Sequence, residues 1–260
     1  MGARIRHRPA AQRHGDAFPG GGRGVGGGGG GRLTRPVASL AAGRVLVVGV
    51  GGLGCPAAAA VAAAGVGHLG LVDPDRVERS NLVRQLLYTD ADLGQRKVAV
   101  AAAALTRDHP RLEVALYPDR WPERTPAELL ARYHVVIDAT DRTATKLALH
   151  DACLTAGVAY CFGGAVGWQG QWMVVIPGET PCLRCAFGAI DGMEGRGTCA
   201  DLGVLAPVVG LVGYQQALAA IRILLGKPPA PGLTTYDGRR QRTHTLALSR
   251  DPRCPACGAG

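Results

Sequence analysis

The amino-acid sequence predicts an α/β fold: a doubly wound, mostly parallel sheet with an antiparallel C-terminal extension. From residue 44 onward, short apolar segments rich in valine alternate with longer segments of helical character. The first apolar segment runs directly into a glycine-rich turn at residues 49–54. Two Cys-x-x-Cys pairs follow in the C-terminal part, where the alternation gives way to a different pattern. Together these features indicate one domain.

Strands and helices alternate in the predicted parallel part. The segment 44–48 is apolar throughout after Arg44, as expected of a strand that is buried on both faces. Alanine-rich segments favour helices between the strands. The predicted strands lie at 44–48, 68–72, 112–117, 134–137 and 158–162, and the predicted helices at 55–64, 94–107, 126–132 and 143–156.

The pattern changes after Gly163. A strand at 171–176 is followed by a long apolar helix at 204–225, which we expect Pro207 to interrupt. Further strands are predicted around 234–236 and 243–248. This succession indicates that the parallel sheet gains an antiparallel extension.

Composition and charge limit the classes of protein to which the chain can belong. With 260 residues the chain is long enough to bury a sizeable core. Hydrophobic residues make up 47%, but no stretch approaches the roughly eighteen apolar residues of a membrane span, so we expect no membrane association. Much of the formal net charge of +9 lies in the N-terminal segment, and aromatic residues make up 5%, so we expect no nucleic-acid partner.

The N-terminal segment differs from the rest of the chain. Residues 1–35 are rich in arginine and glycine and have no apolar periodicity, which predicts a disordered tail before a single domain at 36–260. The chain has eight cysteines and no apolar N-terminal signal region, so a reducing cytoplasm is the expected compartment. Cys55, Cys153 and Cys161 lie among apolar residues and are expected in the core.

The two Cys-x-x-Cys pairs are interpreted as one metal site. Two residues between paired cysteines allow both thiolates to reach one tetrahedral ion. Four soft sulfur ligands suit zinc, which predicts a zinc clip formed by Cys182, Cys185, Cys254 and Cys257 that closes the fold. Such a site has no open coordination position, so we expect the chemistry to occur elsewhere. The alternative is two redox or disulfide pairs.

The glycine-rich turn is the first candidate binding site. Its Gly-x-Gly-x-x-Gly pattern ends at Gly54, follows a predicted strand and opens a predicted helix, and Asp73 ends the next strand. This context is typical of a Rossmann-like unit, in which glycines let the backbone approach phosphates at a helix N-terminus. The Asp73 carboxylate is suited to accept ribose hydroxyl groups. An NAD(P)-dependent oxidoreductase is one function that fits this unit.

Three charged residues further along favour a different chemistry. Cleavage of a nucleoside triphosphate between its α- and β-phosphates needs cations on the phosphate oxygens and a carboxylate that holds Mg²⁺. Arg84, Lys97 and Asp141 supply these groups, and a hydride-transfer site needs none of them. Asp141 comes just after a predicted apolar strand, where open α/β sheets form their ligand crevice.

The sequence also resembles a known family. The matching segments are 49–56, 62–67, 73–77, 80–85, 94–98, 138–141, 170–171, 181–185 and 254–257, in unbroken order. They are similar to the ThiF/MoeB/HesA family of ubiquitin-activating (E1-like) sulfur-carrier adenylyltransferases. The resemblance implies ATP- and Mg²⁺-dependent adenylation of the C-terminal Gly-Gly carboxylate of a small ubiquitin-fold sulfur-carrier protein. Pyrophosphate would be released, in sulfur transfer for molybdopterin, thiamin or related biosynthesis.

The resemblance also assigns roles to particular residues. ATP would be held by Gly51, Gly52, Asp73, Ser80, Asn81, Arg84 and Lys97, and the metal by Asp141. Cys199 matches a cysteine that is a candidate for sulfur handling or thioester formation in the family; the alternative is an unreactive cysteine beside a site that only adenylates. The acyl-adenylate product is hydrolysable, which favours a dimer or a bound partner that shields the crevice from water, and a homodimer is the expected state. A cysteine desulfurase or a rhodanese is the implied sulfur donor.

Departures from the family pattern keep a non-catalytic binding module as a further alternative. The Asp-Asn pair typical of the family is here Asp141-Arg142, and Lys146 stands where the family usually has an arginine. The family also sends an arginine from its N-terminal segment into the ATP site of a partner subunit. Residues 1–35 contain no clear counterpart of that segment.

Overall fold

The sheet grows in both directions from its first strand. The computed structural model describes residues 36–119, 121, 127–188 and 203–258, which form one eight-stranded sheet covered by helices. The predicted tail and Cys199 lie outside these residues. The strands are β1 (Arg44–Val48), β2 (His68–Val72), β3 (Glu113–Tyr117), β4 (Val135–Asp138), β5 (Ala159–Val166), β6 (Gln169–Val175), β7 (Gly232–Asp237) and β8 (Arg242–Ala247).

Strand order brings β1 and β4 together at the point where the chain changes direction across the sheet. The order is β3-β2-β1-β4-β5-β6-β7-β8. Pairs from β3 to β5 are parallel, and those from β5 to β8 are antiparallel. The predicted parallel sheet with an antiparallel extension is therefore confirmed. The carboxyl ends of β1 and β4 form the topological switch point, where open α/β sheets bind ligands.

Helices cover both faces of the sheet, so each residue of β1 after Arg44 is buried. Val45 and Val47 belong to a core with three helices on one face, and Leu46 and Val48 to a core with the other two. The helices are α1 (Gly54–Ala63), α2 (Lys97–Asp108), α3 (Thr143–Ala156), α4 (Leu183–Phe187) and α5 (Ala206–Leu224); the first core contains residues of α1, α2 and α5. Burial on both faces explains why β1 is apolar without alternation.

The apolar character of α5 reflects its place in the core. Among the described helices, α5 is the one long and apolar enough to cross a membrane by length and composition. It packs against α1 and against β4, β5 and β6. Of its most apolar stretch of 18 residues, 56% is buried within the fold, and core helices of globular proteins have the same length and composition.

Most predicted elements are confirmed, and the differences have local causes. β1, β2 and α3 have the predicted bounds. α2 begins at Lys97 rather than at residue 94, because Gly94 adopts a φ of 79° in a turn. Pro207 does not interrupt α5: it lies in the first turn, where its missing N–H has no helical partner to lose. The short helix α4 was not predicted.

The packing of α5 on the segment before α1 provides a test. A Cβ atom at Gly213 would collide with the Leu53 carbonyl and the Pro56 ring, whereas nothing lies within 4 Å of the same position at Gly210. We expect Gly213→Ala to lower the free energy of unfolding by about 1–3 kcal/mol through overpacking. Gly210→Ala, the control in the same helix, should raise it by up to about 1 kcal/mol. Urea denaturation measures both, and equal effects would contradict the close packing.

Candidate functional site

The glycine-rich loop between β1 and α1 lies against the carboxyl end of β4. Gly49 has a φ of 90°, and a Cβ atom there would lie 2.7 Å from the carbonyl oxygen of Ala139. A Cβ atom at Gly54 would collide with the carbonyl of Gly49. Glycine therefore allows the loop to turn sharply beside β4. Gly51 and Gly52 are partly exposed where the loop leads into α1, and helix N-termini favour anions.

Asp73, which follows β2, is hydrogen-bonded to this loop. Its Oδ2 accepts the N–H of Val50 at 2.7 Å, and its Oδ1 accepts the N–H of Asp75 at 2.8 Å. The residue is buried, and this burial raises the pKa of Asp73, while the charge of Lys97 acts in the opposite direction. The carboxylate thus holds the loop in place. The contact of Asp73 with ribose stays a prediction. Each carboxylate oxygen retains a lone pair that could accept a ribose hydroxyl group.

A short segment beyond β2 covers the loop. Nη1 of Arg84 donates to the carbonyl oxygen of Ser80 at 3.1 Å, and its Cδ lies 3.6 Å from the Cβ position of Gly52. The Asn81 side chain accepts a hydrogen bond from Gln85 Nε2 at 3.1 Å and donates to Ser80 Oγ at 2.9 Å. The structure therefore brings Arg84 to the loop, and it holds Ser80 and Asn81 in the same segment through hydrogen bonds to Arg84 and Gln85. Gln85, which belongs to the matching segment 80–85 but was assigned no role from the sequence, supports this segment.

Lys97 is a buried cation at the start of α2. Its Nζ lies 3.1 Å from Oδ2 of Asp75, and its side chain is 6% exposed against 56% for Asp75. A buried ammonium group is costly unless a carboxylate such as that of Asp75 pairs with it. The Lys97 ammonium group still has N–H groups that can donate to further acceptors. Lys97 also acts electrostatically on Asp73. It is therefore connected to the glycine-rich loop through two aspartates, whereas Arg84 lies directly over the loop.

Asp141 lies beyond β4, on the other side of the switch point. It is exposed and has no hydrogen bond or ion pair with any residue in the described part of the chain. Asp138, at the end of β4, is by contrast fully buried and bound by Thr140, Lys146 and Tyr160. Sequence reasoning missed these contacts. A tyrosine within the apolar strand β5 is the signal that could have indicated a buried polar partner.

The four predicted zinc ligands come together in one cluster. Their sulfur atoms all lie within 4.8 Å of one another. The individual Sγ–Sγ distances are 3.8 Å for Cys182–Cys185, 3.6 Å for Cys182–Cys254 and 3.4 Å for Cys185–Cys257. Sulfur atoms at 2.3 Å from a tetrahedral ion are about 3.8 Å apart, so the donor set fits zinc. The cysteines that the structure describes are all free thiols.

Protonation differs among the cysteines. Burial raises the pKa of Cys55 and of Cys161 to about 12, as expected for the predicted core cysteines. At Cys254, burial alone would raise the pKa, but the N–H groups of Ala256 and Cys257 and the neighbouring thiols lower it to about 7. This position therefore favours a thiolate, the form that binds metal.

Contacts from outside the cluster hold both cysteine pairs. The N–H of Leu183 donates to Nε2 of the buried His150 at 3.2 Å, and His150 Nδ1 lies 2.8 Å from Oδ1 of Asp151. Burial lowers the pKa of His150, which favours the neutral ring that this acceptor role requires. Arg250 donates to the carbonyl oxygens of Gly178 at 2.8 Å and Cys257 at 2.5 Å. The second pair is thus joined to the body of the domain.

The fold and the site together define a nucleotide-binding α/β domain. A glycine-rich loop at the switch point is flanked by cations on one side and an exposed carboxylate on the other. A cysteine cluster with metal-binding geometry closes the antiparallel part.

The chain belongs to the ThiF family, which matches residues 33–256. It is 40% identical over 217 residues to the sulfur carrier protein ThiS adenylyltransferase of Escherichia coli, covering 83% of this chain and 86% of that protein. It is 44% identical over 222 residues to the adenylyltransferase and sulfurtransferase MOCS3 of Bos taurus, covering 84% of this chain and 49% of that protein. The chain thus spans about half the length of its MOCS3 relatives. The predicted family membership is confirmed.

A solved structure supports the same fold. Escherichia coli MccB with ATP has a TM-score of 0.75 and 22% sequence identity to this chain. The match covers 84% of this chain and 68% of that chain. At this identity the likeness concerns the fold alone.

Proposed function

We propose that this chain adenylates the C-terminal Gly-Gly carboxylate of a small ubiquitin-fold sulfur-carrier protein, using ATP and Mg²⁺ and releasing pyrophosphate. The observation that carries the proposal is the position of the glycine-rich loop between the two cations, Arg84 and Lys97, and the exposed Asp141. Relatives 40% identical to the chain are named as adenylyltransferases of ThiS and of molybdopterin synthase. The oxidoreductase alternative has no comparable support.

The residues of the chain act by positioning and by charge neutralisation. The backbone at Gly51 and Gly52 approaches the phosphates, while Asp73 and the segment with Ser80 and Asn81 orient the nucleoside. Arg84 and Lys97 offset the charge of the phosphate oxygens as the carrier carboxylate attacks the α-phosphorus. The bond from that phosphorus to the bridging oxygen breaks, and pyrophosphate leaves with the electron pair.

Asp141 is the residue we assign to Mg²⁺. Its carboxylate is exposed at the switch point and unpaired within the described residues, and Mg²⁺ prefers carboxylate oxygens and water as ligands. Bound Mg²⁺ neutralises phosphate charge and fixes phosphate geometry. The donor set therefore fits the ion.

Zinc is the metal we assign to Cys182, Cys185, Cys254 and Cys257. The sulfur geometry described above supports this assignment, and four protein ligands leave no open position for a reaction. The role would be structural: the ion would join α4 to the C-terminal segment.

The proposed partners extend beyond the carrier. A homodimer is supported by large apolar side chains that are exposed, because exposed apolar surface is typical of interfaces. They are Val83 and Leu86, next to Arg84 in the sequence, and Tyr214 and Leu218 on α5. A cysteine desulfurase or rhodanese would supply sulfur, with Cys199 as the residue that handles it. Cys199 lies outside the described residues.

The adenylation step is tested by isotope exchange. With Mg²⁺ and a carrier ending in Gly-Gly, the protein should exchange labelled pyrophosphate into ATP. Asp141→Ala should reduce the exchange rate at least about a hundredfold, as removal of a principal electrostatic group does. Glu128→Ala, which removes another exposed carboxylate, is the control and should leave the rate unchanged. Absence of exchange in the wild-type protein would favour the non-catalytic binding module.

The zinc site is tested by metal content and stability. The protein should carry one zinc ion per chain, and Cys254→Ser should lose it and lower the melting temperature by at least about 5 °C, because metal binding is linked to folding. Cys153→Ala, at a buried cysteine outside the cluster, should retain the ion. Stoichiometric zinc in a protein whose four cluster thiols alkylate freely under native conditions would contradict the assignment.

The role of Cys199 is tested by separating two steps. Cys199→Ala should leave pyrophosphate exchange intact, because a thiol takes no part in attack on the α-phosphorus, while sulfur transfer or thioester capture should fail. Exchange is followed with labelled pyrophosphate, and capture by mass spectrometry of the carrier. Loss of both activities would mark Cys199 as structural, and loss of neither would remove it from the mechanism.

A further inference from the structure

Asp138 is a fully buried carboxylate beside the proposed metal ligand. Its Oδ2 accepts a hydrogen bond from the Tyr160 hydroxyl at 2.5 Å. Its Oδ1 accepts the N–H and the hydroxyl of Thr140 at 2.9 and 2.7 Å, and Lys146 Nζ lies 3.3 Å from the same atom. A buried charge is costly unless it is paired and hydrogen-bonded. The contacts with Tyr160, Thr140 and Lys146 therefore offset the cost of burying the Asp138 carboxylate.

Lys146 is bound to this carboxylate and does not extend into the crevice. Its side chain is 12% exposed, and its Nζ also donates to the carbonyl oxygen of Gly163 at 2.6 Å. Burial and the Asp138 carboxylate both raise the pKa of Tyr160, so the phenol remains a hydrogen-bond donor. Lys146 and Tyr160 therefore hold Asp138 from α3 and from β5.

Each residue from Asp138 to Thr140, the segment that leads to Asp141, makes hydrogen bonds that fix the backbone. The Asp138 carbonyl accepts a hydrogen bond from Gln216 Nε2 at 2.6 Å, and the N–H of Ala139 donates to Val48 at 2.8 Å. The two bonds from Thr140 to the Asp138 side chain then close a tight turn. Asp141 is the next residue, and its own side chain is held by no described residue.

We propose that Tyr160 and Lys146, acting through Asp138, are positioning residues that aim the Asp141 carboxylate at the divalent metal of the nucleotide complex. This inference rests on the proposed metal role of Asp141. A metal ligand must be held within about 0.5 Å of its productive position, and the turn after Asp138 is the element that does so. Lys146 thus supports the site through a carboxylate and is not a phosphate ligand.

Metal affinity tests the inference without requiring turnover. Mn²⁺ in place of Mg²⁺ is titrated into full-length protein saturated with α,β-methylene ATP, and free Mn²⁺ is followed by its electron paramagnetic resonance signal. Tyr160→Phe should weaken Mn²⁺ binding about tenfold, the equivalent of one charge-assisted hydrogen bond. Tyr133→Phe is the matched control: it removes another buried tyrosine hydroxyl, which pairs with Tyr117 at 3.1 Å, and should change the affinity less than about twofold.

Substitution of Lys146 provides a second, independent measurement. Lys146→Met should weaken Mn²⁺ binding about as much as Tyr160→Phe, and Lys146→Arg, which keeps the charge, should restore most of the affinity. Circular dichroism checks that each variant folds. If Lys146→Met does not fold, Tyr160→Phe and Lys146→Arg still decide the question.

The outcomes separate this inference from the proposed function. Asp141→Ala serves as the reference and should lose the Mn²⁺ site. If it does and Tyr160→Phe binds Mn²⁺ like the wild type, the positioning role is overturned while the metal role of Asp141 stands. If Asp141→Ala itself binds Mn²⁺ normally, the metal assignment fails and the positioning role fails with it. A lower melting temperature of Tyr160→Phe with unchanged Mn²⁺ affinity would show a purely structural contact.

Discussion

The parallel pairing of β1 with β4 is the constraint on which the site depends. Because the chain leaves β1 toward β2 and β3 and returns to build β4 and β5 on the other side, the connections that follow β1 and β4 diverge and leave a crevice at the carboxyl ends of this pair. The glycine-rich loop and the Asp138–Asp141 turn both start there, and glycine at position 49 lets them touch. Groups supplied by distant parts of the chain therefore meet at one edge of the sheet.

Two buried carboxylates organise the two sides of this edge by the same physical means. Asp73 accepts the N–H of Val50 in the glycine-rich loop, and Asp138 accepts the N–H of Thr140 in the turn that precedes Asp141. Each is accompanied by a lysine, the buried Lys97 near the first and the largely buried Lys146 beside the second. A buried anion forces the surrounding donors to converge on it, because leaving it unpaired is costly. The aspartates therefore give rigidity to loops that must carry exposed ligand-binding groups.

The cysteine cluster extends this organisation to the antiparallel part of the sheet. It joins α4, which follows β6, to the segment after β8, so that the ends of the extension are held to each other. His150 connects α4 to α3, the helix that also carries Lys146. The cluster and the switch point thus share one supporting helix, although the metal they are suited to hold differs.

The sequence by itself determined the features with local causes. β1 and β2 are apolar runs, α3 stops where Gly157 adopts a left-handed φ of 68°, and the Cys-x-x-Cys spacing indicated the metal cluster. Only the tertiary structure decided the partners of Lys97, Asp138 and Lys146. Asp138 meets Tyr160, 22 positions later in the chain, because β4 and β5 pair and place both side chains on one face. Such contacts depend on which strands become neighbours, and no local pattern in the sequence encodes that choice.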